Sequence, residues 1–317
     1  MGQTGLETAN EELKVAVLFG GIGTERDVSI QSGTCVAEAL EQAGFRVVRA
    51  DIRPDNLEIL DDSSIDVFFP ALHGTFGEDG RLQQKLEDKS LLYTGSGPAA
   101  SRLAFDKMAS KELFERAGVA TPGAIELSAG SDLRQLEEQL RHFGPEYVIK
   151  PIKQGSSVGI SIVSTPGEAL AAAQQTLAEF GDCMIEQFIP GREVTVGILC
   201  GRALPVIEIR TKGTFYDYHA KYVDEQTEFL FGTIEEPVAA AISQAALNCF
   251  GALGCRHFAR VDSILSDGGV AYALEVNTIP GFTSHSLLPK AAARTGLSMG
   301  DLCSKIIEAA CSSLARR

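Results

Sequence analysis

A strand, a glycine turn and a helix follow one another near the start of this chain, and this order restricts the fold more than any other feature. Residues 14–19 (KVAVLF) are apolar enough for a buried strand, and residues 20–23 (GGIG) form the turn. Residues 25–43 then have the apolar spacing of a helix, which Gly44 ends. Such a unit is typical of a parallel sheet covered by helices. The turn is not a dinucleotide fingerprint, because Arg26 replaces its third glycine.

The alternation of strands and helices continues up to about residue 100. Residues 46–50 and 65–72 favour strands, and residues 79–89 favour a helix. The chain has 317 residues, which is enough for two or three domains that each bury a core. We therefore predict an α/β protein whose first unit contains a parallel sheet.

A second unit starts near Ala104, after the glycine- and serine-rich stretch TGSGPAAS. Residues 147–150 (YVIK) and 160–163 (ISIV) predict strands on either side of a tight glycine loop, which favours an antiparallel pair. Another strand at residues 184–189 ends at Pro190 and Gly191. We place the second domain boundary at this Pro-Gly pair.

The remaining chain predicts a third unit with a long polar loop. A stretch of about 20 residues without secondary structure inside a compact protein is usually functional, and we interpret residues 211–232 as a lid. The other predicted elements are strands at 193–199 and 203–209 around a turn at 200–201, a helix at 237–254, a hairpin of 258–265 with 270–276, and two final helices.

The charge and the cysteine pattern exclude several classes of protein. The chain has 28 Lys and Arg against 42 Asp and Glu, a net charge of −14, so it would repel a phosphate backbone and we expect no nucleic-acid partner. No apolar run approaches the roughly 18 residues of a membrane span, and the amino-terminal segment has no signal-peptide pattern. The seven cysteines contain no CxxC pair. We therefore expect a cytoplasmic protein with reduced thiols and no membrane partner.

The predicted hairpin carries the clearest candidate for a metal site. A loop centred on residues 267–268 sets Arg260 opposite Glu275 and Asp262 opposite Ala273. Arg260, Asp262, Glu275 and Asn277 then share one face. Two carboxylates and an amide oxygen suit a hard cation such as Mg²⁺. The alternative is a solvated outer face with a cross-strand ion pair.

The loop QGSSVG at residues 154–159 has two interpretations. Its residues 155–159 match GxSxG, the nucleophile elbow of serine hydrolases, with Ser157 as nucleophile. An elbow runs from a strand into a helix, whereas ISIV continues here as a strand. A glycine hairpin between strands instead offers backbone N–H groups to phosphate oxygens, with Lys150 beside it. A plain β-turn is the third possibility.

A second glycine-rich loop, HGTFGEDG at residues 73–80, follows the predicted strand 65–72. It therefore lies at the carboxyl end of the parallel sheet, where α/β proteins bind ligands. A simple helix start would explain Glu78 and Asp79, which favour the positive helix terminus, but not His73. No Walker A motif, HExxH motif or protein-kinase set is present, so an ATP site would belong to another architecture.

Taken in order, these motifs resemble the D-alanine:D-alanine ligases of the ATP-grasp superfamily, from Val15 to about Ala309. Each motif alone is weak, but nine in the family's order are specific. They are GGIGTERDVS (20–29), HGTFGEDG (73–80), YTGSG (93–97), DK (106–107), VIKPIKQGSSVGIS (148–161), EQFIPGREVTV (186–196), GTFYDYHAKY (213–222), RVD (260–262) and EVNTIPGFTSHSLLP (275–289).

The resemblance implies the fold and the reaction. The fold would have a Rossmann-like N-terminal domain (1–103), a central ATP-grasp lid domain (104–190) and a C-terminal domain (191–317), with ATP between the last two. ATP would phosphorylate the carboxylate of one D-alanine, and the amino group of a second would displace the phosphate. The product would supply peptidoglycan synthesis. The resemblance also implies a cytoplasmic homodimer and two Mg²⁺ ions, with Mn²⁺ as an acceptable substitute.

The resemblance further assigns roles to individual residues. The metal ligands would be Asp262, Glu275 and Asn277. The first D-alanine would be bound by Glu25 and His73, the second carboxylate by Ser286 and the N–H of Leu287, and the oxyanion by Arg260 and the N–H of Gly281. Lid closure would use Ser156 and Tyr222. ATP would be bound by Lys107, Lys150, Glu186, Phe188, Ile189, Glu193 and, at the γ-phosphate, Lys221.

Three positions depart from the family pattern. Gly23 replaces a common Ser, Gln154 a common Glu and Phe188 a common Trp, and none of these changes removes a charge needed for metal or phosphate. Three alternative functions stay open from the sequence. They are a ligase that makes D-alanyl-D-lactate or another D-dipeptide, a serine hydrolase that uses Ser157, and a non-catalytic nucleotide-binding module.

Overall fold

The computed structural model describes residues 13–211 and 227–314. The strands are β1 (Lys14–Gly20), β2 (Arg46–Ile52), β3 (Val67–Pro70), β4 (Ala124–Leu127), β5 (Tyr147–Pro151), β6 (Ser161–Val163), β7 (Cys183–Gln187), β8 (Gly191–Leu199), β9 (Arg202–Ala203), β10 (Ile207–Arg210), β11 (Glu228–Phe231), β12 (Phe258–Ser266) and β13 (Ala271–Asn277). The helices are α1 (Arg26–Gln42), α2 (Arg81–Asp88), α3 (Pro98–Phe105), α4 (Lys107–Arg116), α5 (Leu133–Leu140), α6 (Pro166–Phe180), α7 (Glu236–Ala252), α8 (Leu287–Arg294) and α9 (Met299–Leu314), with a 3₁₀ turn at Glu58–Asp61.

The first sheet confirms the α/β prediction. Its strands are parallel, in the order β2-β1-β3. Side chains alternate along β1, so Val15 and Val17 pack in one core with α1 and α9, and Ala16 and Leu18 in another with α2. Both faces of the sheet are therefore covered, as a parallel sheet requires.

The second sheet is antiparallel, in the order β4-β7-β5-β6, and α5 and α6 pack on it. Thr165 caps α6 as its sequence predicts, because the Glu168 N–H donates to Thr165 Oγ1 at 3.2 Å. Ala104, Phe114 and Val119 pack instead with the third sheet. The segment around α4 therefore belongs to the core of the C-terminal part, although the sequence groups it with residues 104–190. The domain boundaries themselves stay predictions.

The third sheet has the order β11-β10-β8-β12-β13, with β9 beside β8. The strand predicted at residues 203–209 is divided between β9 and β10, because Pro205 lies between them and has no N–H for a ladder. The lid predicted at residues 211–232 is not free of secondary structure either. Its last part is β11, which pairs antiparallel with β10. Residues 212–226 of that stretch lie outside the described residues.

The hairpin of β12 and β13 forms with a register that differs from the predicted one. Arg260 pairs with Asn277 and Asp262 with Glu275, whereas Ser263 pairs with Ala273. A β-bulge therefore adds one residue to β13, and the turn shifts the register by one more. The two shifts total two residues, and side chains in a strand alternate with a period of two. The four side chains predicted to share one face therefore still do so, although the predicted pairing was wrong.

Two global features concern the membrane and the thiols. Within residues 13–211 and 227–314, no helix is both long and apolar enough to cross a membrane. All seven cysteines are free thiols, and Cys183, Cys249 and Cys303 are buried. The three buried cysteines therefore pack as small apolar side chains, and the seven thiols form no disulfide framework.

Candidate active site

Two cavities lie side by side between the three sheets. Both are lined by Lys107, Gln154, Gly155 and Glu275, so they meet at these residues. The Lys107 Nζ lies 3.1 Å from Glu275 Oε2 and donates to the backbone oxygen of Gln154 at 2.6 Å. That contact uses only backbone of Gln154, so the change from the family's Glu leaves it intact. The junction therefore places a cation and a carboxylate where ligands of the two cavities would touch.

Glu25 lies on the wall of the first cavity. Glu25 lies at the N-terminal cap of α1 and makes no capping hydrogen bond there. Its carboxylate instead accepts a short hydrogen bond from the hydroxyl of Ser156 in the glycine loop. Gly74 and Gly155 lie against this carboxylate, and a Cβ at Gly74 would come within 2.3 Å of Glu25 Oε2. Both glycine loops thus meet at Glu25 because they lack side chains there.

Glu78 is a second buried carboxylate of the first cavity. The backbone N–H of Gly74 donates to Glu78 Oε2 at 2.6 Å. Burial, followed by the negative charge of Glu25, raises the pKa of Glu78 to about 8. The sequence indicates only a helix-start role for Glu78, so the structure adds this residue to the site. A cation in this cavity would compensate the charge of Glu25, and the wall therefore favours a cationic group.

Removing the titrating carboxyl of Glu78 should change how stability depends on pH. The raised pKa means that the folded state holds a proton on Glu78 that the unfolded state loses above about pH 4.5, so stability falls as pH rises from there to about 8. Glu78→Gln keeps the acceptor for Gly74 and does not titrate. The Tm of the variant minus the Tm of the wild type should therefore increase by several °C from pH 5 to pH 8.5. A difference that is constant over this range in thermal melts would contradict the shift.

His73 is buried beside Ser32. Ser32 was not among the site residues predicted from the sequence. The Nε2 of His73 lies 3.0 Å from Ser32 Oγ, and that oxygen also accepts the N–H of Phe282 at 3.3 Å. Burial lowers the pKa of His73 to about 4, and the charge of Arg260 acts in the same direction. A neutral His73 therefore connects α1 with the loop that contains Gly281. Ser32 lies seven residues after Glu25, which is about two helical turns, so the two residues share one face of α1. Only this spacing could have suggested Ser32 from the sequence.

Arg260 and Asp262 form a bidentate ion pair on β12. The Nε and Nη2 of Arg260 donate to the two Asp262 oxygens at 2.8 and 2.6 Å, and both side chains are nearly buried. Thr195 on the neighbouring strand β8 donates to Asp262 Oδ1 at 2.6 Å. This contact fixes the plane of the carboxylate and was not predicted, because β8 is far from β12 in sequence.

The predicted metal ligands lie together at the cavity junction. Asp262 and Glu275 are direct cross-strand partners, so their Cβ atoms are about 5 Å apart. Asn277 follows on the same face and accepts the N–H of Ile279 at 3.0 Å with its Oδ1. Two carboxylates and an amide oxygen are hard oxygen donors, which suit Mg²⁺. The described residues contain no cluster of three or more His, Cys, Asp or Glu side chains that could hold a metal by themselves.

The lining of the second cavity is mainly apolar and also includes charged side chains. Its apolar residues come from both antiparallel sheets, and Phe188 and Ile189 follow β7. Glu186 is buried on its wall and contacts Lys150 Nζ at 2.7 Å. Burial opposes ionisation of Glu186, but the charges of Lys150 and Lys111 outweigh it and hold the pKa of Glu186 below its usual value. Glu193 on β8 completes the polar part of the lining.

The glycine loop is a strand-to-strand connection, which is wrong for a nucleophile elbow. β5 ends at Pro151 and the next regular element is the antiparallel strand β6. Ser156 and Ser157 both have a positive φ, 52° and 58°, a conformation that a loop holds only when its surroundings fix it. Ser157 lines the second cavity and Ser156 lines the first. The loop thus separates the two cavities and does not present an exposed serine.

The far end of the first cavity is formed by Gly281, Ser286 and Leu287. Ser286 precedes α8, and its Oγ accepts the N–H of Thr283 at 3.0 Å. A Cβ at Gly281 would come within 2.5 Å of Ser286 Oγ, so a larger residue at position 281 would displace the Ser286 side chain. Leu287 is the first residue of α8 and lines the cavity, and the N–H groups of a helix N-terminus favour a carboxylate.

The structure therefore brings most of the predicted site together. Lys221 and Tyr222 lie outside the described residues, and their roles stay predictions. The predicted residues that line one or both cavities are Glu25, His73, Lys107, Lys150, Ser156, Glu186, Phe188, Ile189, Glu193, Arg260, Asp262, Glu275, Asn277, Gly281, Ser286 and Leu287.

Comparisons with known proteins agree on one family. The sequence model for "D-ala D-ala ligase C-terminus" matches residues 113–308. The D-alanine–D-alanine ligase of Syntrophotalea carbinolica is 42% identical over 303 residues, which cover 95% of this chain and 97% of that protein. The D-alanine–D-alanine ligase of Citrifermentans bemidjiense is 43% identical over 305 residues, covering 95% and 98%.

Solved structures show the same similarity. A crystal structure of D-alanine–D-alanine ligase from Bacillus anthracis complexed with ATP has a TM-score of 0.84 and 32% identity, covering 96% of this chain and 99% of that one. The VanG D-Ala:D-Ser ligase from Enterococcus faecalis has a TM-score of 0.83 and 29% identity, covering 94% and 99%. The fold thus occurs in ligases with different second substrates.

Proposed function

This chain belongs to the D-alanine:D-alanine ligase family, and we propose that it joins two D-alanines to D-alanyl-D-alanine with consumption of ATP. Relatives about 40% identical over almost the whole chain carry this activity in their names. The observation that best supports the reaction is the meeting of two cavities at Lys107 and Glu275. A phosphoryl group can pass between an ATP in one cavity and a carboxylate in the other only at such a junction.

The first cavity fits the first D-alanine. We place its ammonium group at Glu25, which Ser156 orients, with Glu78 and the neutral His73 nearby. The ammonium would compensate the negative charge of this wall, which otherwise favours protonation of Glu78. Its carboxylate would then point toward the junction, where it receives the phosphoryl group.

The second cavity fits ATP. We place the adenine in the apolar part, with Glu186 as the acceptor for its amino group and Glu193 at the ribose hydroxyls. Phe188 and Ile189 would line the base. Lys107 and Lys150 would contact the phosphates, and Lys221 of the segment outside the described residues would reach the γ-phosphate.

The chemical steps use residues on β12, β13 and the loops that follow. The acyl phosphate formed on the first D-alanine is attacked by the neutral amine of the second, whose carboxylate we place at Ser286 and the N–H of Leu287. Arg260 and the N–H of Gly281 would hold the oxyanion that develops. Asp262, Glu275 and Asn277 would hold Mg²⁺ ions, two in our proposal, which supply charge neutralisation for the phosphates when bound.

A coupled assay of phosphate release tests this function. The purified enzyme with MgATP and D-alanine should release phosphate and form D-alanyl-D-alanine, and omission of either substrate should abolish release. Ester hydrolysis without ATP would point instead to a hydrolase, and ATP binding without turnover to a non-catalytic module. Mn²⁺ should support turnover in place of Mg²⁺.

The second substrate is tested by competition. D-alanine mixed with D-lactate or D-serine at pH 7.5 should give mainly D-alanyl-D-alanine, as measured by chromatography of the products. We place Tyr222 with Ser156 as the pair that closes the lid over Glu25, and the lack of a positive charge on Tyr222 favours an amine nucleophile. Predominant ester or D-alanyl-D-serine would assign the chain to a related ligase with another second substrate.

We further propose that the enzyme acts in the cytoplasm as a homodimer and supplies peptidoglycan synthesis. The seven free thiols are compatible with a reducing compartment. Sedimentation or light scattering of the purified protein tests the dimer.

A further inference from the structure

A buried lysine behind the second cavity is used by none of the steps above. Lys111 lies on α4, its side chain is 5% exposed, and its ammonium group contacts Glu186 Oε1. The other oxygen of Glu186 contacts Lys150 Nζ at 2.7 Å. Glu186 and Lys150 line the cavity, whereas Lys111 is not among its lining residues. Two lysines therefore share one buried glutamate, one in front of it and one behind.

The hydrogen bonds of Lys111 show that it acts through other residues. Its Nζ donates to Thr121 Oγ1 and to the backbone oxygen of Pro122, both at 2.8 Å, besides contacting Glu186. Two hydrogen bonds and the ion pair with Glu186 hold the ammonium group inside the protein. Lys111 is therefore engaged by protein atoms and does not line the nucleotide cavity. Thr121 in turn donates to the backbone oxygen of Ala273 on β13 at 2.8 Å, so the position of Lys111 is fixed by the third sheet.

The charges of this cluster leave one positive charge uncompensated. Lys111 and Lys150 together contribute two positive charges and Glu186 one negative charge. Burial, with help from Lys150, lowers the pKa of Lys111 to about 8, while Glu186 opposes the shift, so Lys111 is mostly charged at pH 7. Without Lys111, Glu186 would neutralise Lys150 in a buried ion pair. The cavity wall would then lose its attraction for an anion, which is strong where water is excluded.

We propose that Lys111 is a positioning residue for the nucleotide, which supplies the counter-charge of Glu186 and thereby leaves the positive charge of Lys150 available to the phosphates of ATP. Because this role rests on the proposed function, ATP is the ligand in every test. Lys111 does not touch the nucleotide, and its effect should therefore appear in nucleotide affinity more than in the chemical step.

The first test replaces Lys111 by a neutral side chain of similar length. Lys111→Met should raise the Kd for ATP, measured by calorimetry, and the KM for ATP by about 10-fold or more, which is about 1.4 kcal/mol of binding energy. We expect kcat at saturating ATP to change less than about threefold. Lys153→Met is the matched control, because Lys153 is 62% exposed and contacts Asp106 at 3.1 Å outside this cluster. The control should bind ATP like the wild type.

A second substitution distinguishes charge balance from a purely structural role. The double variant Lys111→Met/Glu186→Gln removes the positive charge at position 111 and the negative charge at position 186. Lys150 then again has a positive charge that Glu186 does not compensate. This double variant should bind ATP at least about threefold more tightly than Lys111→Met alone, since the new amide at position 186 keeps an acceptor without neutralising Lys150. If Lys111 only held the fold, the second substitution would leave the affinity unchanged or lower it further.

The outcomes separate the role of Lys111 from the function itself. If Lys111→Met does not fold, Lys111→Gln, which can still donate to Thr121 and Pro122, takes its place in both comparisons. Wild-type affinity in the single variant, or no recovery in the double variant, would overturn the role of Lys111 while the wild-type activity stands. Absence of ATP consumption by the wild type with D-alanine would instead overturn the proposed function.

Discussion

Glu275→Gln should lower kcat by roughly two to three orders of magnitude while leaving the Tm almost unchanged. Glu275 lies at the junction of the two cavities, opposite Asp262 and 3.1 Å from Lys107. The substitution keeps size and hydrogen bonding but removes the charge that would hold Mg²⁺ beside the transferring phosphoryl group. Steady-state kinetics over a Mg²⁺ titration measure the effect, and we expect the half-saturating Mg²⁺ concentration to rise.

The loss of charge also leaves Lys107 without its carboxylate partner, and the kinetics separate the two consequences. A freed Lys107 would bind ATP more tightly and lower its KM, whereas a lost metal ligand lowers kcat. Glu87→Gln is the matched control. The side chain of Glu87 is 29% exposed, against 27% for Glu275, and it lies 3.5 Å from Arg256. This ion pair is remote from both cavities. Glu275→Gln with a kcat within about fivefold of the wild type at saturating Mg²⁺ would exclude Glu275 as a metal ligand.

The parts of the fold that follow from local pattern were predictable. The strand, turn and helix at residues 14–43 and the capped helix α6 have apolar spacing and capping residues that act within about ten residues of each other. The hairpin face was predictable for the same reason, because alternation tolerates a register error of two. The bulge that adds a residue to β13 was not, because nothing in the alternation of residues 270–276 marks an extra residue.

The parts of the site that were missed depend on contacts between distant segments. Thr195, Ser32 and Lys111 hold Asp262, His73 and Glu186, and each pair is at least 41 residues apart in sequence. No motif spacing can show such contacts. The family resemblance supplied the residues that line the two cavities, whereas the residues that support them became visible only when the sheets were packed together.

Arg260 gives the second large effect. If its guanidinium holds the oxyanion that develops during amine attack, Arg260→Lys should lower kcat by about 10²-fold or more with little change in the KM for ATP, because the contact strengthens only in the transition state. Lysine keeps the charge but cannot form the planar two-point contact that Arg260 makes with Asp262. The measurement is kcat and KM for both substrates at saturating Mg²⁺.

Arg49→Lys is the control for the effect on kinetics of losing a bidentate ion pair that lies outside the active site. Arg49 contacts Glu41 through the same Nε and Nη2 atoms, at 3.2 and 2.8 Å, on the exposed face of β2. An ordinary surface pair contributes little, so this variant should keep wild-type kinetics. If Arg260→Lys also kept them, Arg260 would serve only to neutralise Asp262, and the oxyanion would be held by the backbone at Gly281 alone. If only Arg260→Lys loses kcat, and does so even at saturating Mg²⁺, the result would support the guanidinium as the group that holds the oxyanion, because the charge at residue 260 is unchanged.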